Sequence, residues 1–572
     1  MKINTNHPLP VIARQNNVLF RAKYPVKKQT IYSGTVFSLA CASCANMISE
    51  IRRKSIDMNE TKKFIDLREK FSEKLEPAAQ KTEETCWNFY TDSNEKNMKL
   101  YQEAQETYSK LFQDRQTFNN FLSINKELLP KHEQKQLKDL LKIFDEELNT
   151  GEEVKALRDK ENEIAQKYNS YVPMLDGKEV TKTELTKITQ TETNPEIRRK
   201  GYEAKIKGGD LIADDLIDFI KMRNNFAKSK GYDNYFEYKL KEDYDVDSAL
   251  LNSLVNEVYS SAKAKIKTIQ ERKYKELKEF FNISELKPYH YGLLLDSNPD
   301  KAVNEILSLH NIEEISKKTY AGMGYNVDKM IADGKLTLDL YPRKGKNTHG
   351  FCFGVKAGED SRILANLTNN VISLDTLNHE MGHCIYDLGL DKNLPFIDRE
   401  PASSATTEAI AMMMGDIMKL ENILADIVPK EKLNKFKDSL KEDESNFVSR
   451  SLLIIEFERE LYKNPNQNPK ELWSRLTEKY MNRKEEPSNE WATIPHYLSH
   501  PAYYQNYFRA TLMKAQIYNH LKSVLGNITE NKNTAEYMDK NIFSIGASID
   551  EYELIKKLTG KEFSAQDFIN NL

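Results

Sequence analysis

Two histidines four residues apart with a glutamate between them are the residues of this chain best suited to chemistry: Asn378-His379-Glu380-Met381-Gly382-His383. On a helix, side chains at i and i+4 point the same way, so both imidazoles reach one metal ion, and zinc is the ion this spacing holds. Glu380 then stands beside the metal without ligating it. Zinc lowers the pKa of a bound water to about 7, so a neighbouring carboxylate can take its proton and direct the water at a peptide carbonyl. A catalytic zinc needs a third protein ligand and one open position. Glu408, 25 residues after His383 in Ser403-Ser-Ala-Thr-Thr-Glu408-Ala-Ile410, is the candidate. Taken alone, two surface histidines and a first-turn carboxylate favoured by the helix dipole would also fit. Asp375 and Asp416 could orient ligands from behind, or could be surface and capping groups.

These ligands need two helices. Leu374, Leu377, Met381, Ile385 and Leu388 form an apolar stripe through the motif, Ser373 can cap its start, and Gly389 ends it before Pro395. The segment from Ser403 to Asp416 reads as a second helix begun after Pro401, with Ser and Thr as caps and Met412 to Met414 as core. A turn at Asn393 to Pro395 lets it fold back on the first. Upstream, apolar residues recur at helical spacing, as in Phe64, Leu67, Phe71 and Leu75, again at Leu137, Leu140, Ile143 and Phe144, and from Leu211 to Ile220. The texture changes at 335–370, where short β-type runs beginning at Leu336, His349 and Arg362 predict a small antiparallel sheet next to the motif helix. The fold class expected is mainly α.

Composition narrows the partners. The chain has 572 residues, so it should divide into two lobes, and its net charge of -3 calls for neither nucleic acid nor an acidic surface. No run is apolar enough to span a membrane. Five cysteines are too few and odd for a disulfide framework, and Cys41 and Cys44 form a lone CxxC. Residues 1–54 read as a leader, disordered or targeting. A cytoplasmic placement is slightly favoured, with export or lipid attachment through residues 31–47 the alternative. Residues 55–572 read as one catalytic domain.

Hydrolysis of a peptide creates an oxyanion that needs donors. The stretch Ile494-Pro-His496-Tyr-Leu-Ser-His500-Pro-Ala-Tyr503-Tyr504-Gln-Asn-Tyr507-Phe508 is the best source of them, although an aromatic core would look similar.

With those residues in view, the chain resembles two related gluzincin families of zinc peptidases: the angiotensin-converting-enzyme (peptidyl-dipeptidase A) family, and the thimet oligopeptidase and oligoendopeptidase F family. The resemblance rests on His379-Glu-Met-Gly-His383, Thr407-Glu408-Ala-Ile410 and the His, Tyr, Tyr stretch, with weaker echoes at Cys86 to Tyr90, Arg223 to Tyr232 and Asp339 to Phe353. It implies an elongated two-lobed helical body around a deep substrate channel, with residues 55–115 as lid helices and 335–510 as the zinc region. It also implies one zinc ion on His379, His383 and Glu408, Glu380 as general base, Tyr507 as donor to the oxyanion with His496 assisting, and substrate contacts from Tyr504 and His349. The substrates implied are short oligopeptides. Two positions depart from the dipeptide-releasing enzymes: Ile494 stands where they carry a carboxylate-binding Lys, and Asn506 where they carry a chloride-binding Arg. An oligoendopeptidase is therefore expected, the alternatives being a peptidyl-dipeptidase or a catalytically silent peptide-binding homologue.

Overall fold

The computed structural model describes residues 37–572 except 149–150, 296–297 and 348, with side chains from Asp57 onward save that of Thr183. Most of the expected leader, the first part of 31–47 and the side chains of Cys41 and Cys44 lie outside the described residues. The chain is mainly helical, as its periodicity predicts. Helix α1 (Phe37–Thr91) runs through the whole first stripe and is followed by α2 (Glu95–Phe112), α3 (Arg115–Leu122) and α4 (Lys131–Leu148). Phe64, Phe71 and Leu75 of the stripe are buried, and with Phe112, Phe121, Leu137, Leu140 and Phe144 they make a small core of their own. Phe71 and Phe144 pack with tilted rings at 5.3 Å within it. This core meets the rest of the molecule at Ile397, and polar ties reinforce the seam: His132 and Gln136 both reach Asp398, and Arg399 donates to Glu76 at 2.6 Å.

The main core draws on most of the later helices. Its centre is the motif helix, Val371–Gly389, whose Leu374, Leu377, Met381 and Ile385 are all buried; Leu388 is only partly so. The cap differs from expectation. Asn370, not Ser373, accepts from the first turn, and Ser373 Oγ instead accepts from the Thr368 backbone at 3.0 Å. The glutamate helix, Ser404–Gly415, starts on Ser403, whose hydroxyl accepts from Thr406 N. The two helices touch backbone to backbone at Gly382, where a Cβ would stand 2.8 Å from Ala411 Cα.

A hairpin of β1 (Met174–Leu175) and β2 (Lys178–Glu179) stands apart from the sheet that matters here. That sheet has the order β3 (Leu336–Asp339), β5 (Asp360–Leu364), β4 (Phe351–Lys356). The β4 and β5 strands form the expected antiparallel pair through a turn at Gly358, whose φ is +74°. In contrast β3 pairs with β5 in parallel, Leu336 opposite Ser361 and Asp339 opposite Leu364. The chain lays down β4 before β5, and β5 then slots between its two predecessors, so the pair joined by the longer connection shares a direction. One face of β4 meets α1 through Trp87 and Tyr90, which pack edge-on against Phe353 at 5.5 and 5.8 Å.

Candidate metal centre

The ligand set assembles as expected. Ring nitrogens of His379 and His383 and a carboxylate oxygen of Glu408 all lie within 4.8 Å of one another, and His379 Nε2 is 3.8 Å from Glu408 Oε2. The two imidazoles sit 4.9 Å apart, nearly perpendicular. Behind His383, Thr407 Oγ1 lies 2.7 Å from Nδ1. A metal held by Nε2 would leave the proton on Nδ1, and Thr407 Oγ1 stands where it would accept it. The helix is anchored from its far side by Ser316 and Tyr320, which donate to the side chain and carbonyl of Asn378 at 2.7 and 2.9 Å.

Electrostatics test whether a cation fits. Burial pushes the Glu380 carboxyl up to about 8, with Glu408 adding to it, and burial pushes Glu408 up to about 7. Burial likewise presses His379 down to about 4 and His383 well below the usual imidazole range. No Lys or Arg among the described residues offsets either carboxyl. Two neutral imidazoles and two carboxyls without a counter-charge are a donor set that a dication completes, and its charge would return both carboxyls to their ionised form. Asp375, held up to about 7 by burial and by Asp416, stands one turn before His379 with its Oδ1 where a Gly415 Cβ would sit. Asp416 accepts from buried Lys514 at 2.5 Å, and its charge also bears on His379.

Glu380 is the most buried of the four motif groups and points toward β4: the Cys352 backbone N–H donates to its carboxylate, and a Cβ on Gly350 would come within 3.3 Å of Oε1. His349 thus sits one residue from the Gly350 contact. It lies in the loop before β4 and not on the strand, exposed, with its ring 6.1 Å from Phe351. That loop is pinned from below by Lys346, whose buried ammonium donates to Asp339, Tyr341 and Ala365.

Across the site stands the tyrosine helix, Tyr504–Leu525, preceded by the short turn of helix His496–Ser499. His496 packs against Tyr504 at 4.9 Å and lies 6.3 Å from Tyr507, and Tyr504 and Tyr507 are 5.6 Å apart. Burial lowers His496 to about 4, so its ring is neutral, and its Nδ1 has no partner among the described residues. Tyr503 and Tyr507 both feel the charge of Glu408: burial first and that charge second hold each phenol well above its ordinary value. The aromatic stretch therefore comes near Glu408 through Tyr503 and Tyr507. Arg223 fixes the turn of helix by donating to the carbonyls of Tyr497 and Leu498, while Ala502, at φ +59°, gives its N–H to Glu458. A cavity of about 530 Å³ lies beside the site, lined by Thr407, His500, Tyr503 and Asn506 but by none of the three candidate ligands.

Sequence reasoning missed Thr407, Tyr503 and Arg223 as parts of the site. Thr407 sits beside Glu408 in the quoted stretch, and a hydroxyl next to a ligand was the available signal. The contribution of Arg223 depends on a contact spanning 274 positions, which no local pattern carries.

The model of peptidase family M3 matches residues 188–572. Oligoendopeptidase F, chromosomal, of Lactococcus lactis subsp. cremoris is 24% identical over 406 residues, covering 66% of this chain and 62% of that protein. Oligopeptidase PepF of Bacillus subtilis is 26% identical over 372 residues, 59% of this chain and 52% of its own. An oligoendopeptidase F homolog of Borreliella burgdorferi is 23% identical over 383 residues, 62% and 61%. The chain spans about half to three-fifths of the length of the curated relatives it matches.

Proposed function

The chain belongs to peptidase family M3, and on that premise we propose that it is a zinc-dependent metallopeptidase cleaving peptide bonds within short oligopeptides, with Glu380 as general base. The observation that carries the proposal is the meeting of His379, His383 and Glu408 within 4.8 Å beside the buried carboxyl of Glu380. When bound by those three residues, zinc supplies Lewis-acid polarisation and brings the pKa of a water near 7. Glu380 takes a proton from the attacking water and passes it to the departing amine, its carboxylate held in aim by the Cys352 N–H. Tyr507 donates its hydroxyl to the oxyanion and His496, neutral and with Nδ1 free, assists. Tyr504 contacts the substrate. His349 and the edge strand β4 receive an extended peptide, an edge strand being the natural partner for one.

Residues 55–115, on α1 and α2, act as lid helices over this site, a role supported by the separate core to which they contribute. Endopeptidase action is favoured over dipeptide release because Ile494, at the position of the carboxylate anchor, is apolar and buried, and Asn506 is buried and occupied by Arg509.

The test is cleavage of internally quenched peptides, free and C-terminally amidated, by purified protein with zinc quantified, beside Glu380→Gln. Wild type should cut both peptide sets, and the variant should keep its zinc while losing about 10²–10⁴ in kcat/KM. Wild type that binds zinc and cuts nothing would make this a peptide-binding homologue; cleavage confined to free C-termini would make it a peptidyl-dipeptidase.

A further inference from the structure

Strand β4 and the motif helix meet through two thiols. Cys352 Sγ lies 2.8 Å from Cys384 Sγ, with Ser361 Oγ 3.4 Å from the first. Their neighbours are the working parts of the site. Cys384 directly follows His383, and the backbone N–H of Cys352 is the one that holds Glu380. The remaining thiol with a described side chain, Cys86, is buried on α1 and engages Tyr101.

We propose that Cys352 and Cys384 form a reversible disulfide that fastens β4 to the metal-binding helix in its working position. A disulfide holds its sulfurs at about 2.05 Å, so closure draws these two together by less than about 1 Å. Cys384 is fully buried and Cys352 less so, which gives Cys352 the first step of the exchange. With a small disulfide as oxidant, the Cys352 thiolate attacks one of its sulfurs and expels a thiol. Cys384 then attacks Cys352 in the mixed disulfide and expels the second. Two protein S–H bonds are lost, one S–S bond forms, and the reagent carries away both electrons and both protons as two thiols. Once closed, the bond constrains the loop from β4 through β5 to the motif helix in the unfolded chain, and the native state gains accordingly.

The full-length zinc-loaded protein is incubated with glutathione disulfide or with a phosphine reductant, quenched with iodoacetamide in denaturant, digested and mapped by mass spectrometry; melting and peptidase activity are recorded in parallel. The expected result is one reduction-sensitive peptide pair joined through Cys352 and Cys384, a melting temperature higher in the oxidised protein, and activity within about twofold of the reduced form, because the reacting groups keep their places. In Cys352→Ser the melting difference should vanish. Separate alkylation of both cysteines after prolonged oxidation, or linkage of either to Cys86, Cys41 or Cys44, overturns the pairing. Loss of activity in step with cross-linking overturns the working-position claim. The mapping needs only the wild-type chain and reads thiols, so its failure is distinct from failure of the peptidase proposal.

Discussion

Replacing Thr407 by Val should weaken zinc binding about ten- to thirtyfold, a figure that follows from what the hydroxyl does. With Nε2 of His383 turned toward the metal, Nδ1 carries the proton and donates it to Thr407 Oγ1 at 2.7 Å. Val keeps the volume of the side chain and removes the acceptor. A buried N–H left without a partner costs about 1–3 kcal/mol, or about five- to 150-fold in affinity. Partners of ligating histidines fall within this span, at about 10- to 100-fold. Thr407 is only partly buried and lines the 530 Å³ cavity, so water can replace some of the lost contact and the lower half of the range applies. Thr407→Ser keeps the hydroxyl and should bind zinc within about threefold of wild type. Competition with a chromophoric chelator gives the affinity, and kcat/KM at saturating zinc separates loss of metal from loss of aim. Wild-type zinc affinity in Thr407→Val would refute the reasoning, because His383 would then need no help in choosing its tautomer.

Tyr507→Phe should lower kcat by about 10²–10³ with little change in KM, the pattern of a donor used only in the transition state; an equal loss confined to Tyr503→Phe in steady-state kinetics would move the role to Tyr503. In the zinc-free protein, Glu380 at about 8 and Glu408 at about 7 bind protons more tightly than in the unfolded chain. Their contribution is fully present below the ordinary carboxylate value and is lost progressively as pH rises from there through about 7 to 8, so melting temperature should fall across the upper part of that range, between about pH 7 and 8, by the equivalent of about 1 kcal/mol. Glu380→Gln should shallow the slope, and added zinc should flatten it; a zinc-free protein that gains stability across the same pH range would contradict the assignment. Gly382→Ala forces a Cβ against Ala411 Cα at 2.8 Å and should cost about 1–3 kcal/mol in denaturant unfolding while loosening the ligand set. Arg223→Lys should lower kcat and leave zinc content intact, because the fork to the Tyr497 and Leu498 carbonyls is lost while the ligands lie elsewhere.

The parts of the site read correctly from sequence are those in which spacing alone determines geometry. His379 and His383 share a helix face, and the apolar stripe through Leu374, Leu377 and Met381 says which face is buried. The glutamate helix was readable for the same reason, through Ser403 and the Met core. What escaped was nonlocal. The parallel pairing of β3 with β5 depends on the order in which strands are laid into a sheet, and their alternation is silent on that. Burial of Lys346 and its several acceptors is paired across residues 339–365, where a lysine in a Gly-rich loop reads as a solvated charge. The shift of the cap from Ser373 to Asn370 shows how closely spaced polar residues compete for one helix start.

The uneven separation in sequence of the contacts that build the site has a consequence for the order of folding. All three candidate ligands fall between His379 and Glu408, on two helices that touch at Gly382 and Ala411, so little loop entropy opposes their meeting. The turn of helix bearing His496 is instead held by Arg223 from 274 positions away. Local contacts form early and distant ones late. Under the proposed function, a chain emerging from the ribosome would gather its zinc ligands as soon as the glutamate helix closes on the motif helix, before the tyrosine face is clamped in place, and the last contact to form would be the one that completes the catalytic site.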